Sequence, residues 1–213
     1  MVARGRFIAF EGGEGTGKST QARMLCAALA QRGLEAVATR EPGGTPGAEA
    51  IRSLLLSPPG DGWNARAEAL LFAAARSDHV ERLIRPALER GSWVVSDRFV
   101  DSSRAYQGGA GGLGDAAIVA LHDFGSAALR PDLTLLFEVD PATAAARIDQ
   151  RDGVDRDAIG GRDEAYHARV AAGFRALAKA DPAGFRVIDG NGAPDTVHRL
   201  VLDALAPLLE PLR

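Results

Sequence analysis

The sequence predicts an α/β fold, a three-layer domain whose five-stranded parallel sheet carries helices on both faces. Two observations lead there. Short apolar runs of strand length recur five times, and each is followed by a longer stretch rich in helix formers. One of those runs, Ser92-Trp-Val-Val-Ser-Asp97, is apolar without alternation, as expected of a strand covered on both faces of a parallel sheet.

Taken in order, Phe7 to Glu11 is the first strand, ended by a glycine cluster, and Thr20 to Gln31 is the helix after it. Leu34 to Thr39 is the second strand. Arg40-Glu-Pro-Gly-Gly-Thr45 closes it, with Pro42 and the glycines forcing a turn before a helix over Ala48 to Leu56. Ser57-Pro-Pro-Gly-Asp-Gly62 stops that helix. Ala65 to Arg90 has few breakers and reads as two helical segments meeting near Ser77 and Asp78. Gly91 precedes the third strand, Ser92 to Asp97. Gly108 to Gly114 reads as a mobile loop, Asp115 to Ala127 as helix, and Leu133 to Val139 as the fourth strand, ended by Asp140 and Pro141. Pro141 suits a first helical turn. Thr143 to Arg151 is helical, Asp152 to Asp163 a glycine- and charge-rich interruption, and Glu164 to Ala180 helix. Phe185 to Ile188 is the fifth strand and Pro194 to Leu209 the closing helix.

Composition narrows the function classes. A chain of 213 residues suits a single domain spanning 1–213. Its net charge of -3 gives no basic excess, so no nucleic-acid partner is expected. The N-terminal run Phe7-Ile-Ala-Phe10 is too short for a signal-peptide core or a membrane span, which leaves the cytoplasm as the expected address and no membrane partner. Cys26 is the single cysteine and reads as a buried packing residue on a helix. The four histidines show no metal-ligand spacing and read as surface or packing residues, with His79 close after Arg76. Of the 25 basic residues only Lys18 and Lys179 are lysines. A chain that writes its positive charge as arginine and yet places lysine at 18 points to a need for a compact ammonium there.

Lys18 lies in Gly12-Gly-Glu-Gly-Thr-Gly-Lys-Ser19, the P-loop pattern of Gly, four residues, Gly, Lys and Ser or Thr. The pattern follows a strand and opens a helix, so backbone N–H groups of Gly12, Gly13, Glu14, Gly15, Thr16, Gly17, Lys18, Ser19 and Thr20 can converge on the phosphates of ATP. Lys18 reaches the β- and γ-phosphates as a point charge, and the Ser19 hydroxyl suits Mg²⁺. Asp97, at the carboxyl end of a buried strand, is placed for the metal or for an acceptor. A P-loop by itself fits kinases, GTPases and ATP-driven machines alike. No Asn-Lys-x-Asp segment for guanine is present, which weighs against a GTPase.

Four ordered segments resemble bacterial thymidylate kinases, of the P-loop nucleoside monophosphate kinase class. They are Phe10-Glu-Gly-Gly-Glu-Gly-Thr-Gly-Lys-Ser-Thr20, Thr39-Arg-Glu-Pro-Gly-Gly-Thr45, Leu71-Phe-Ala-Ala-Ala-Arg76 and Asp97-Arg-Phe-Val-Asp-Ser-Ser-Arg-Ala-Tyr-Gln-Gly108. The resemblance implies a P-loop NTPase fold and direct in-line transfer from ATP·Mg²⁺ to dTMP, making dTDP for dTTP synthesis. It also implies roles for single residues. Phe72 stacks on thymine, Arg76 donates to a thymine carbonyl, Ser103 and Gln107 face the N3/O4 edge, and Tyr106 lies beside the deoxyribose. Arg98 and Arg40 hold the acceptor phosphate, and Pro42 borders the same pocket. Glu14 approaches the acceptor's 3′-hydroxyl and the metal. A homodimer formed through the helices after strands two and three is implied as well.

One branch of the family carries an arginine inside the P-loop where this chain has Gly15, so the charge on the migrating phosphoryl is expected from a basic lid at about 147–163. Arg147 and Arg151 share a helical face there, and Arg151 with Arg156 is the preferred catalytic pair. Asp149, Asp152, Asp155 and Asp157 are interleaved with them, so this lid is less basic than the family's usual pattern. Asn191, in Asp189-Gly-Asn-Gly-Ala-Pro194, falls where similar enzymes border adenine. Two alternatives stay open on sequence alone: a kinase for another nucleoside or nucleotide, because a pocket reads one methyl with only about 1–3 kcal/mol, and a nucleotide-binding regulator without turnover, which the acidic lid suggests.

Overall fold

The computed structural model describes residues 4–152 and 160–209. Five strands, β1 (Phe7–Glu11), β2 (Ala36–Arg40), β3 (Trp93–Asp97), β4 (Leu133–Glu138) and β5 (Phe185–Asp189), form one parallel sheet in the order β2-β3-β1-β4-β5. The helices are α1 (Lys18–Gln31), α2 (Pro46–Leu56), α3 (Ala65–His79), α4 (Arg85–Glu89), α5 (Val100–Ser103), α6 (Asp115–Ser126), α7 (Pro141–Asp152), α8 (Glu164–Ala180) and α9 (Pro194–Leu209).

Alternation along β1 makes the layers. Ile8 and Phe10 face α1 and α9, joining Leu25, Leu29, Val201 and Leu205 in one core. Phe7 and Ala9 face the other way, against Val80, Ile84, Phe99 and Val100. A third cluster of Leu136, Tyr166, Val170 and Phe174 roots α8 on that second side. β1 is buried along its whole length, which is why Phe7 to Phe10 reads as unbroken apolar sequence, with Glu11 the one charged residue at its end.

All five expected strands and all the expected helices are present, and two segments differ from expectation in detail. Ala65–Arg90 divides at Val80–Ile84, a π-helical stretch between α3 and α4, close to the expected break at Ser77 and Asp78. Gly108, expected to open a mobile loop, instead lies inside a second π-helical stretch, Arg104–Ala110, that continues α5. Gly108 packs against Ile118, where an added Cβ would lie 3.2 Å from Cγ1, so tertiary contact holds a glycine pair that local sequence assigns to a loop. Cys26 is half-buried and packs against the first core cluster.

Leu205 is fully buried in that cluster and distant in the chain from every motif residue. Leu205→Ala should cost about 2–5 kcal/mol in urea unfolding while leaving turnover per folded molecule unchanged.

Candidate active site

The register decides where the site forms. Asp97 sits opposite Phe10 on β1 and opposite Arg40 on β2, so three chain segments leave the sheet side by side at its carboxyl edge. Gly12 to Ser19 turns from β1 into α1. Gly12 and Gly15 have φ of 135° and 69°. A Cβ at Gly12 would lie 2.4 Å from the Phe137 carbonyl oxygen, and one at Gly15 would lie 2.5 Å from that of Ala144. The backbone of α7 thus occupies the room that an arginine at position 15 would need. Left-handed Gly17 starts α1.

Lys18 is 6% exposed. Its ammonium donates to the carbonyls of Gly12 at 3.1 Å and Gly13 at 2.5 Å, and to Thr16 Oγ1 at 3.1 Å. Burial, and next the charge of Arg98, lower its pKa to about 7 against the raising influence of Asp97, Glu11 and Glu14. Ser19 Oγ donates to Asp97 Oδ2 at 2.5 Å, so the two residues read from sequence as metal ligands meet.

Arg98 follows β3 with φ 74°, a conformation costing a non-glycine residue about 1–3 kcal/mol. It is held at both ends. Its backbone N–H donates to the Phe10 carbonyl at 2.8 Å. Its guanidinium donates to Gly12 O at 2.9 Å and Ser102 Oγ at 3.1 Å, and lies 5.2 Å from the centre of the Tyr106 ring. Beneath it is Glu11, which the motif reading passed over. Fully buried, Glu11 accepts from the backbone N–H groups of Phe99 at 2.8 Å and Ser102 at 3.0 Å, and from Ser102 Oγ at 2.6 Å. Burial and then Asp101 raise its pKa to about 7, opposed by those donors and by Arg98. A carboxylate ending an apolar strand was the available signal.

One cleft of about 710 Å³ joins the phosphate loop to the acceptor motifs. Phe72, Ser103, Tyr106 and Gln107 form one wall, with Arg40 and Pro42 beside them. Arg40 is more than half exposed and donates from Nη2 to both oxygens of Glu49, at 3.1 and 3.2 Å. Arg76 stands behind this wall rather than on it. Only 3% exposed, it donates from Nε to Glu41 Oε2 at 2.7 Å and from Nη2 to Ser103 Oγ at 2.9 Å and the Phe99 carbonyl at 3.3 Å. His79 belongs to the same network, bonded to the other Glu41 oxygen at 2.9 Å and to Thr39 Oγ1 at 2.7 Å. Arg52, Arg23 and Gln150 also line the cleft, and no motif marks them. Arg52 arrives because α2 packs there, where it donates to the Pro42 carbonyl at 2.8 Å.

On the nucleotide side, Arg147 donates to the carbonyls of Gly190 at 3.0 Å, Gly15 at 3.4 Å and Gly192 at 3.4 Å, tying the phosphate loop to the loop after β5. Asn191 spends its amide joining that loop to the turn after β4: Oδ1 accepts from Asp140 N at 2.9 Å and Nδ2 donates to Asp189 at 2.8 Å. Thr16 Oγ1 donates to Gly13 O at 3.1 Å, and the Glu14 carboxylate lies against Gly160. Arg151 falls in the last turn of α7, and Arg156 lies outside the described residues.

The shifted Lys18 has a measurable consequence. Because its folded pKa lies below its unfolded value, the unfolded chain binds the extra proton between about pH 7 and 10.5, and the buried ammonium costs most stability below that window. Lys18→Met should therefore raise the melting temperature more at pH 6 than at pH 9, as calorimetry at the two pH values will show.

The chain is similar to known proteins along almost its whole length. The thymidylate kinase family model matches residues 10–201. The thymidylate kinase of Rhizorhabdus wittichii is 59% identical over 205 residues, covering 96% of this chain and 99% of the relative. That of Gluconobacter oxydans is 48% identical over 213 aligned positions, covering 96% of each. The crystal structure of thymidylate kinase from Ehrlichia chaffeensis superposes with a TM-score of 0.78 at 31% identity, over 95% of this chain and 99% of that one. Five parallel strands, a phosphate loop after the first and an acceptor wall built from α3 and the turn after β3 agree with these matches, and the chain belongs to the thymidylate kinase family.

Proposed function

We propose that this chain, as one kinase domain spanning 1–213, transfers the γ-phosphoryl group of ATP directly to dTMP, yielding dTDP for dTTP synthesis. The observation that carries the reading is the single cleft, in which Lys18 and Arg98 share a space with Phe72, Ser103 and Gln107. Donor and acceptor phosphates can meet there without a covalent enzyme intermediate. Catalysis is then positioning plus charge neutralisation.

Lys18 turns from the loop carbonyls onto the β- and γ-phosphates. Its proton is retained as the anion raises its pKa. Arg98, fixed between Gly12 O and Ser102 Oγ, offers its fork to the acceptor phosphate with Arg40 at the rim, and Arg52 adds a third positive charge on that side. Phe72 supplies a flat apolar face to the base, and Tyr106, which lines the same cleft, is the residue assigned to exclude a 2′-hydroxyl. Ser19 and Asp97 are hard oxygen donors already in contact, a pair that fits Mg²⁺, with Glu14 as a further carboxylate. Bound there, the ion supplies charge neutralisation across the phosphate oxygens. The finger is assigned to Arg151 or Arg156 on sequence grounds, with Arg147 holding the base of α7 against the phosphate loop.

A homodimer is part of the same reading. Leu70 on α3 and Phe124 on α6 are 56% and 93% exposed, large apolar side chains on helices that pack together. The cytoplasm is the inferred location, and among the described residues no helix is long and apolar enough to cross a membrane.

ADP release measured with dTMP, dUMP, UMP, dCMP, AMP and thymidine should show dTMP as the preferred acceptor; preference for any other sinks the assignment. Arg98→Met should lower kcat/KM for dTMP by about 10²-fold or more, about 3 kcal/mol of transition-state stabilisation, with KM for ATP little changed. Light scattering at micromolar concentration should give the mass of two chains, falling towards one in Phe124→Asp.

A further inference from the structure

Besides Tyr106, the base-reading wall carries Ser103 and Gln107, and each of these two is bonded from behind to a buried ion. Gln107 is 3% exposed, and its Nε2 donates to Glu68 Oε1 at 2.9 Å. Glu68, in the first turn of α3 and one turn before Phe72, is 8% exposed. Its other oxygen takes a hydrogen bond from Nη2 of Arg162, whose Nη1 bonds the Tyr166 hydroxyl and whose guanidinium lies 4.6 Å from the centre of that ring. Tyr166 in turn donates to the Tyr106 carbonyl at 3.1 Å, closing the arrangement onto the π-helical stretch that carries Gln107. On the other side, Ser103 Oγ accepts from Arg76.

The contact with Glu68 fixes the polarity of Gln107. A carboxylate paired with arginine can only accept, so Gln107 has to turn its NH₂ to Glu68, leaving its carbonyl oxygen for the cleft. Arginine can only donate, so Ser103 gives Arg76 one lone pair and keeps a proton, with its second lone pair, for the cleft. A donor at 103 beside an acceptor at 107 complements the O4 and N3–H edge of thymine or uracil. Cytosine carries an amino group and a lone pair at the same positions; the Ser103 hydroxyl can rotate to accept from the amino group, but at 107 acceptor is set against acceptor.

We propose that Glu68, held by Arg162, is a positioning residue that makes the pocket select a keto pyrimidine over cytosine. It touches no substrate atom; it acts by fixing the Gln107 amide. The inference rests on the dTMP reading above and adds residues outside the recognised motifs. With Gln at position 68, Arg162 would claim the new carbonyl and the new NH₂ would face Gln107. The Gln107 amide would then turn over and present a donor to the cleft.

The test uses the full chain and Glu68→Gln, Arg162→Met and Arg162→Lys, with calorimetric binding of dTMP and dCMP, kcat and KM for both, and a melting curve for each variant. Glu68→Gln should lower the dTMP-to-dCMP ratio of affinities and of kcat/KM by about tenfold or more, because a buried polar group loses its partner with the correct base. KM for dTMP should rise with kcat changed much less, and KM for ATP should not move. Arg162→Met should act in the same direction, and Arg162→Lys should recover most of the wild-type ratio by restoring a donor-only cation. Should Glu68→Gln fail to fold, the two Arg162 variants decide, since that side chain is 28% exposed. Wild-type-like ratios in folded Glu68→Gln and Arg162→Met overturn the inference. A wild-type chain that does not prefer dTMP overturns the dTMP reading instead.

Discussion

Glu11 is a carboxylate with no exposure to water, and the active site hangs from the hydrogen bonds it accepts. Burying such a group costs several kcal/mol unless donors surround it. Here three do, two from backbone N–H groups and one from a hydroxyl, all on the segment Phe99–Ser102 that follows β3. The bonds pull that segment over the end of β1. Arg98, at its start, is thereby forced into a left-handed backbone and swung beside the phosphate loop. A site for two phosphorylated ligands needs its two halves to be rigid relative to each other, and this one carboxylate joins them.

The base-reading wall follows the same rule, its polar groups Ser103 and Gln107 being held from behind by buried ionic side chains. Arg76 and Glu41 pair behind Ser103, with His79 and Thr39 extending the network. Glu68 and Arg162 stand behind Gln107. Arg147 bridges the phosphate loop to the loop after β5. Pre-set dipoles and charges need little reorganisation as the phosphoryl group moves, which is what phosphoryl transfer asks of a protein. The chain's net charge of -3 is no obstacle, because the charge that matters is local to the cleft.

Side chains that read alike in sequence separate by depth. Phe72 and Arg76 lie one helical turn apart and were expected to share the pocket. Phe72 reaches it, while Arg76 is buried one layer back and acts on the wall through Ser103. His79, one of the histidines read as surface or packing residues, is fully buried and holds the same layer. Asn191 ties the loop after β5 to the turn after β4, and Arg52 enters the cleft from α2 although no motif points to it.

The sequence by itself determined the five strands, the order of helices between them, the phosphate loop and the family. Those features are local: apolar runs, helix formers, glycines at positive φ and motifs a few residues long carry them. Only the tertiary structure decided the placement of Glu11, the second layer behind the base wall and the helical course of Arg104–Ala110. Each depends on partners distant in sequence. Glu11 meets Ser102 across 91 residues, and Glu68 meets Gln107 and Arg162 across 39 and 94. Such meetings are set by the parallel register of β1, β3 and β4 and by the packing of α3 and α8, and no local pattern encodes which buried charge will find which donor.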